Sequence, residues 1–312
     1  MRPALLVRVL PAFVALGLLG LCFPSAAAAS PPATTPFRGL GAWVDVFDYA
    51  PRVQTAGHTP PVTPDSVADM AHLGVRTLYL QVGRDDTHPA TRLVDGTQVR
   101  AFVRAAHKAG LRVVAWYLPS LDDVAADLRP IEGIAKLSVD GRGFDGVAVD
   151  MESTTTVPDV VVRGDRLVTF TQRARARLRS SVQLGAIVYP AVQLEVVNRA
   201  LWPQFPYRRL APSISVWLPM AYFTLRDGAY RDPGRYTQES VERLRSDLHA
   251  PSAAVHVIGG IADAMSADDT AAFVATAARV HAIGWSLYDY NTTASSAWPW
   301  LTGATRLGTA GQ

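Results

Sequence analysis

Short apolar runs alternate along this chain with longer amphipathic stretches. Eight runs rich in Val, Ile, Leu and aromatic residues stand out: 40–46, 77–82, 112–118, 146–151, 183–189, 214–222, 254–259 and 283–288. Several are continuously apolar rather than alternating, as expected of strands buried on both faces. Helical periodicity fills the gaps, at 64–73, 99–109, 122–137, 166–180, 238–248 and 267–278. Thr63-Pro64-Asp65 and Ser266-Ala267-Asp268 mark helix starts, with a hydroxyl cap ahead of first-turn acids. Gly74 and Gly110 fall where helices should stop.

A strand–helix alternation repeated eight times, with no change of composition, predicts one closed parallel (β/α)8 barrel, a TIM barrel, as a single domain over residues 37–304. A doubly wound open sheet finds no support, because no G-x-G-x-x-G follows the first run. The proline-rich segment 191–212 reads as a short helix with an irregular loop, and a last short helix is expected near 297–301. Residues 305–312 form a tail.

Residues 1–29 read as a secretory signal: Arg2 and Arg8, a short apolar run, then Ser25 followed by four alanines. Residues 30–36, SPPATTP, read as a flexible leader. Cleavage near Ala29 predicts a secreted protein with no membrane segment left. It also removes Cys22, the chain's one cysteine, so the mature chain is expected to have neither a disulfide nor a thiolate zinc site. A lipid anchor on Cys22 is disfavoured, since the preceding Leu21 is not small. Removing two arginines and no acid lowers the formal net charge of +3 by two. No basic cluster points to nucleic acid, and a monomer is expected. The seven histidines show no H-x-x-x-H spacing, and neither a G-x-S-x-G elbow nor a phosphate loop occurs. No metal or cofactor is expected from these patterns, although His58 or His88 could join aspartates in a loop site.

In such barrels the active site lies at the carboxyl ends of the strands. Those ends offer Asp45 and Asp48; Gln81 leading to Arg84-Asp85-Asp86; Trp116 and Tyr117; Asp150 and Glu152; Tyr189; Met220 and Tyr222; Asp263; and Trp285, Tyr288 and Asp289. Aromatic faces can stack on sugar rings, and carboxylates can bind hydroxyls or move protons. Asp150 and Glu152, two apart, would point the same way into the barrel mouth. Carboxyls that close raise one another's proton affinity, which suits a general acid.

The stretch Asp145-Gly146-Val147-Ala148-Val149-Asp150-Met151-Glu152 resembles the strand-four motif D-G-x-D-x-D-x-E of family-18 glycoside hydrolases, the chitinases and their relatives. Met220-Ala221-Tyr222 resembles that family's M-x-Y, and Trp285-Ser286-Leu287 its strand-eight W-S-[LI] segment. The resemblance implies that Glu152 protonates the glycosidic oxygen and that Asp150 orients the substrate's own N-acetyl group, which attacks the anomeric carbon. It implies further that Tyr222 bonds that acetamide and that Trp285 stacks beneath the ring. Asp45, Asp48, Trp116, Tyr117, Tyr189, Met220 and Asp289 complete the expected substrate-binding set.

The sequence departs from the motif at Ala148, which replaces its middle aspartate. Two readings follow: a secreted hydrolase of a polysaccharide or oligosaccharide, N-acetylated in the form the resemblance favours, or a catalytically silent carbohydrate-binding barrel of the cell envelope. Glu152 paired instead with Asp45, Asp48 or Asp289 is a further arrangement, and a protein-binding envelope scaffold a third reading.

Overall fold

The computed structural model describes residues 35–55, 57–84 and 93–308. The signal and most of the leader, Asp85, Asp86 and His88, and the last four residues of the tail lie outside them.

Eight parallel strands form the sheet: β1 Gly39–Val44, β2 Thr77–Arg84, β3 Arg112–Leu118, β4 Gly146–Met151, β5 Gln183–Val188, β6 Val216–Pro219, β7 His256–Ile261 and β8 Gly284–Tyr288. Their order, β6-β5-β4-β3-β2-β1-β8-β7, is sequential and wraps round. Parallel bridges Trp217–Val255 and Met220–Ile258 close the ring between β6 and β7. The expected (β/α)8 barrel is therefore observed.

Long helices follow most strands: α2 Ser66–His72, α3 Gly96–Lys108, α4 Val124–Lys136, α5 Val160–Arg177, α7 Pro233–Asp247, α8 Ala267–Arg279 and α9 Trp298–Gly308, with single turns α1 Val46–Tyr49 and α6 Tyr207–Leu210. Asp95, Asp123, Asp159, Asp232 and Ser266 cap helix starts by accepting backbone N–H groups, which satisfies donors the helix itself cannot.

Strand parity sorts the core into two layers. Outward side chains such as Leu78, Val113, Val147, Leu184 and Val257 pack against the helices. Inward ones fill the barrel: Phe37, Trp43, Tyr79, Trp116, Ala148, Ile187, Leu218 and Ile258. Trp43 stacks on Tyr79 at 4.2 Å and meets Trp116 edge-on at 5.7 Å. Small residues make room for this plug. A Cβ on Gly185 would come within 2.9 Å of the Phe37 ring, and one on Gly284 within 2.4 Å of His256.

A buried polar chain ties this plug together. His256 is fully buried. Its Nδ1 lies 2.9 Å from the Phe37 carbonyl, which can only accept, so Nδ1 carries the proton. Its Nε2 then accepts from Ser286 Oγ at 2.9 Å, and Ser286 Oγ accepts from Trp43 Nε1 at 2.7 Å. Burial drives the His256 pKa down from 6.5 to about 4, so the ring is neutral.

Several boundaries differ from the sequence reading, and α9 runs to Gly308, seven residues past the expected 301 and into the expected tail. β6 is only four residues long, Val216–Pro219, within the expected 214–222. α5 begins at Val160 and α7 at Pro233, each several residues early. β-branched Val160–Val162 are weak helix formers, and Pro233 fits the first helical position, where its missing N–H is not needed.

Candidate active site at the barrel mouth

The carboxyl ends of the strands converge on a cavity of about 190 Å³. Surface grooves of about 450, 470 and 550 Å³ occur among the peripheral helices and loops, but none gathers residues from strand ends.

β4 supplies the two central carboxylates. Val147, Val149 and Met151 face the helices, so Ala148 and Asp150 face inward. Glu152 follows the strand, and Asp150 and Glu152 both line the cavity. Ala148 is fully buried beside Trp116 and Ile187, so the layer beneath Asp150 is apolar where the motif would place a carboxylate. Asp145 begins the same segment at the opposite end of the barrel. Its carboxylate accepts from the Val113 amide at 2.9 Å and pairs with His107 at 3.0 Å and Arg112 at 3.2 Å. Burial raises its pKa, yet these partners outweigh burial and hold it below the usual carboxylate value.

β5 and β6 contribute tyrosines. The Tyr189 hydroxyl donates to the Glu152 carbonyl at 3.3 Å, and its pKa is pushed up to about 12 by burial, then by the charges of Glu152 and Asp150. Tyr222 lines the cavity beside Met220. Burial raises its pKa, with Asp150, Glu152 and Asp289 adding to the shift.

β1 and β8 form the facing wall. Asp45 caps α1, with Oδ1 accepting from the amides of Phe47 (2.7 Å) and Asp48 (3.1 Å). Asp48 returns the bond through its own Oδ2 to the Asp45 amide at 3.2 Å. The Tyr288 hydroxyl donates to Asp45 Oδ2 at 2.7 Å. Behind this wall lies Asp289, whose Oδ1 accepts from the amide and hydroxyl of Thr292 at 2.9 and 3.0 Å. Burial, then Asp45 and Asp289, push Asp48 up to about 7. Burial also raises Asp289. One oxygen from each of Asp45, Asp48 and Asp289 lies within 4.8 Å of the others, a spacing that would admit a cation. Donors from the chain already occupy Asp45 and Asp289.

The structure thus brings Asp45, Trp116, Asp150, Glu152, Met220 and Tyr222 together, with Tyr189 alongside and Asp48 and Asp289 behind. It does not bring two expected residues to the cavity. Tyr117 faces the helices, where its hydroxyl donates to Asp127 Oδ1 at 2.7 Å and its ring meets Phe170. Trp285 also faces outward, with Nε1 donating to the Leu301 carbonyl of α9 at 3.1 Å. The inward position at the end of β8 belongs to Tyr288. Phe47, Leu118 and Ile261 line the cavity without having been singled out by sequence, whereas Gln81 and Arg84, named there among the strand ends, line it too. Gln81 accepts from the Val46 amide at 3.0 Å and so anchors α1. Arg84 lies over the Phe47 ring at 4.7 Å. Trp116 and Leu118, two apart on β3, carry the parity signal that could have found Leu118 and excluded Tyr117.

No protein-family model matches the chain, and no curated protein sequence does. Solved structures do. A class V chitinase from Pseudomonas fluorescens Pf-5 aligns over 86% of this chain and 99% of its own at 12% identity, with a TM-score of 0.61. The PgaB (BpsB) glycoside hydrolase domain from Bordetella bronchiseptica aligns over 85% and 98% at 14% identity, TM-score 0.61. The spore cortex-lytic enzyme SleL from Bacillus cereus aligns over 86% and 74% at 11% identity, TM-score 0.63. At these identities the likeness is one of fold, a chitinase-like barrel.

Proposed function

We propose that this protein is a secreted glycoside hydrolase in which Glu152 protonates the leaving glycosidic oxygen and Asp150 is its partner carboxylate. The observation that carries this reading is the placement of Asp150 and Glu152 side by side in one cavity at the carboxyl end of β4. Glycoside hydrolysis needs an acid for the leaving group and a second group for the developing sugar cation, and this pair supplies both. The fold-level likeness to chitinases and to a glycoside hydrolase domain supports the same class, as does the strand-four motif. Tyr222 stands where it can bond an acetamide or a ring hydroxyl, so an N-acetylated polysaccharide is the favoured substrate. The cavity is smaller than the roughly 300 Å³ at which pockets begin to engulf a drug-sized ligand. It suits one sugar ring, with the remainder of a chain lying across the mouth.

Ala148 favours a second reading, a barrel that binds saccharide without cleaving it, because the layer below Asp150 has no group to take up a proton. Reducing-end release from N-acetylated and neutral polysaccharides separates the two. Turnover by the wild-type mature domain that disappears in Asp150→Asn and Glu152→Gln supports the hydrolase. Saccharide binding with no released ends at any pH supports the silent barrel.

A further inference from the structure

Asp45 and Tyr288 are 243 positions apart and meet at 2.7 Å because β1 pairs with β8. Three features fix the direction of this bond. The carboxylate accepts, so the phenol donates. Asp45 cannot swing away, because its other oxygen holds the amides of Phe47 and Asp48 at the start of α1. Burial and the Asp45 charge also raise the Tyr288 pKa, so the phenol keeps its proton. A phenol has one proton to give and lone pairs to accept with. With the proton spent on Asp45, the atom that Tyr288 turns to the cavity is an acceptor. Both residues line the cavity that holds Asp150 and Glu152.

The geometry points to Asp45 as a positioning residue that fixes the Tyr288 hydroxyl as a hydrogen-bond acceptor, so that the β8 wall selects a saccharide hydroxyl presented as a donor. This rests on the reading of the cavity as a saccharide site. It assigns to Tyr288 the wall that the sequence resemblance gave to Trp285, and by a polar contact rather than by stacking. An asparagine at 45 would keep the helix cap, since Asn caps as well as Asp. It would place an N–H₂ where Oδ2 stood, however, and that group would donate to the phenol and turn the Tyr288 proton into the cavity.

The test is an equilibrium-binding cycle on the mature domain. Calorimetric titrations use tetramers of N-acetylglucosamine, N-acetylgalactosamine, glucose and galactose against wild type, Asp45→Asn, Tyr288→Phe and the double variant. At least one tetramer binds wild type. Each single variant weakens that tetramer about fivefold to tenfold, the worth of one hydrogen bond. The double variant loses no more than either single one, and Asp45→Asn keeps a thermal midpoint near that of wild type. Wild-type affinity in Asp45→Asn would make Asp45 a helix cap and nothing more, and would overturn the inference. So would wild-type affinity in Tyr288→Phe, losses that multiply in the double variant, or no binding of any tetramer by wild type. Turnover of the same tetramer reports separately on the proposed reaction. A cycle that behaves as described with turnover indifferent to Glu152→Gln removes Glu152 as the acid and leaves the Asp45–Tyr288 assignment standing.

Discussion

The Tyr117 hydroxyl donates to Asp127 Oδ1 at 2.7 Å, on the helix side of the barrel wall. The same carboxylate accepts from the amides of Ser120 (3.0 Å) and Leu121 (2.8 Å), so Asp127 holds the loop between β3 and α4 in place. Tyr117→Phe should therefore lower stability by about 1 kcal/mol, the net worth of one buried hydrogen bond, and leave saccharide turnover unchanged. Denaturant unfolding and reducing-end assays on the same preparation check this. A turnover loss without a stability loss would return Tyr117 to the site.

Trp285 is expected to behave in the same way. It is buried against α9 and bonded to Leu301, so Trp285→Ala should cost about 3–5 kcal/mol as a core truncation. Trp285→Phe keeps most of the packing and should retain wild-type saccharide affinity. Thermal melts and calorimetric binding read the two effects apart.

The strands were legible because burial on both faces leaves uninterrupted apolar runs, and the place of Asp150 and Glu152 at the mouth followed from the end of β4. β3 and β4 match the predicted bounds residue for residue. Orientation on β8 was harder to read. In Trp285-Ser286-Leu287 the polar residue reads as the outward one, yet Ser286 points inward because His256 and Trp43 satisfy its hydroxyl. Those partners lie 30 and 243 positions away and are invisible locally. Once Ser286 is inward, Tyr288 is inward too, and Trp285 is excluded by parity. Tyr117 is excluded by the same rule, since Trp116 faces in.

His256 makes stability acid-sensitive. Its folded pKa of about 4 lies below the ordinary 6.5, so the unfolded chain takes up a proton first as pH falls. The stability associated with the neutral ring is complete above about pH 6.5 and is lost between there and about pH 4, up to roughly 3 kcal/mol. Urea unfolding of wild type and His256→Gln across that range should diverge in slope. Parallel profiles would rule out this titration.

Asp48 acts in the opposite direction. Its folded pKa of about 7 lies above the ordinary 3.8. Stability is therefore full below about pH 4 and falls as pH rises through 7, when a carboxylate must be carried beside Asp45 and Asp289. Asp48→Asn should be more stable than wild type at pH 8, by roughly 2–3 kcal/mol, and close to it at pH 4. A variant less stable at both pH values would show that the Asp48 carboxylate is needed in its charged form.

Proton donation from Glu152 to the leaving oxygen shows itself in the dependence of rate on the leaving group. The measurement is the rate lost in Glu152→Gln on an N-acetylated oligosaccharide compared with the rate lost on the matching nitrophenyl glycoside, whose leaving group departs without a proton. Glu152 as general acid implies a loss of about 10²–10⁴ on the oligosaccharide, the usual worth of general acid catalysis, and a much smaller loss on the nitrophenyl substrate. Equal losses on both, or none on either, would contradict it.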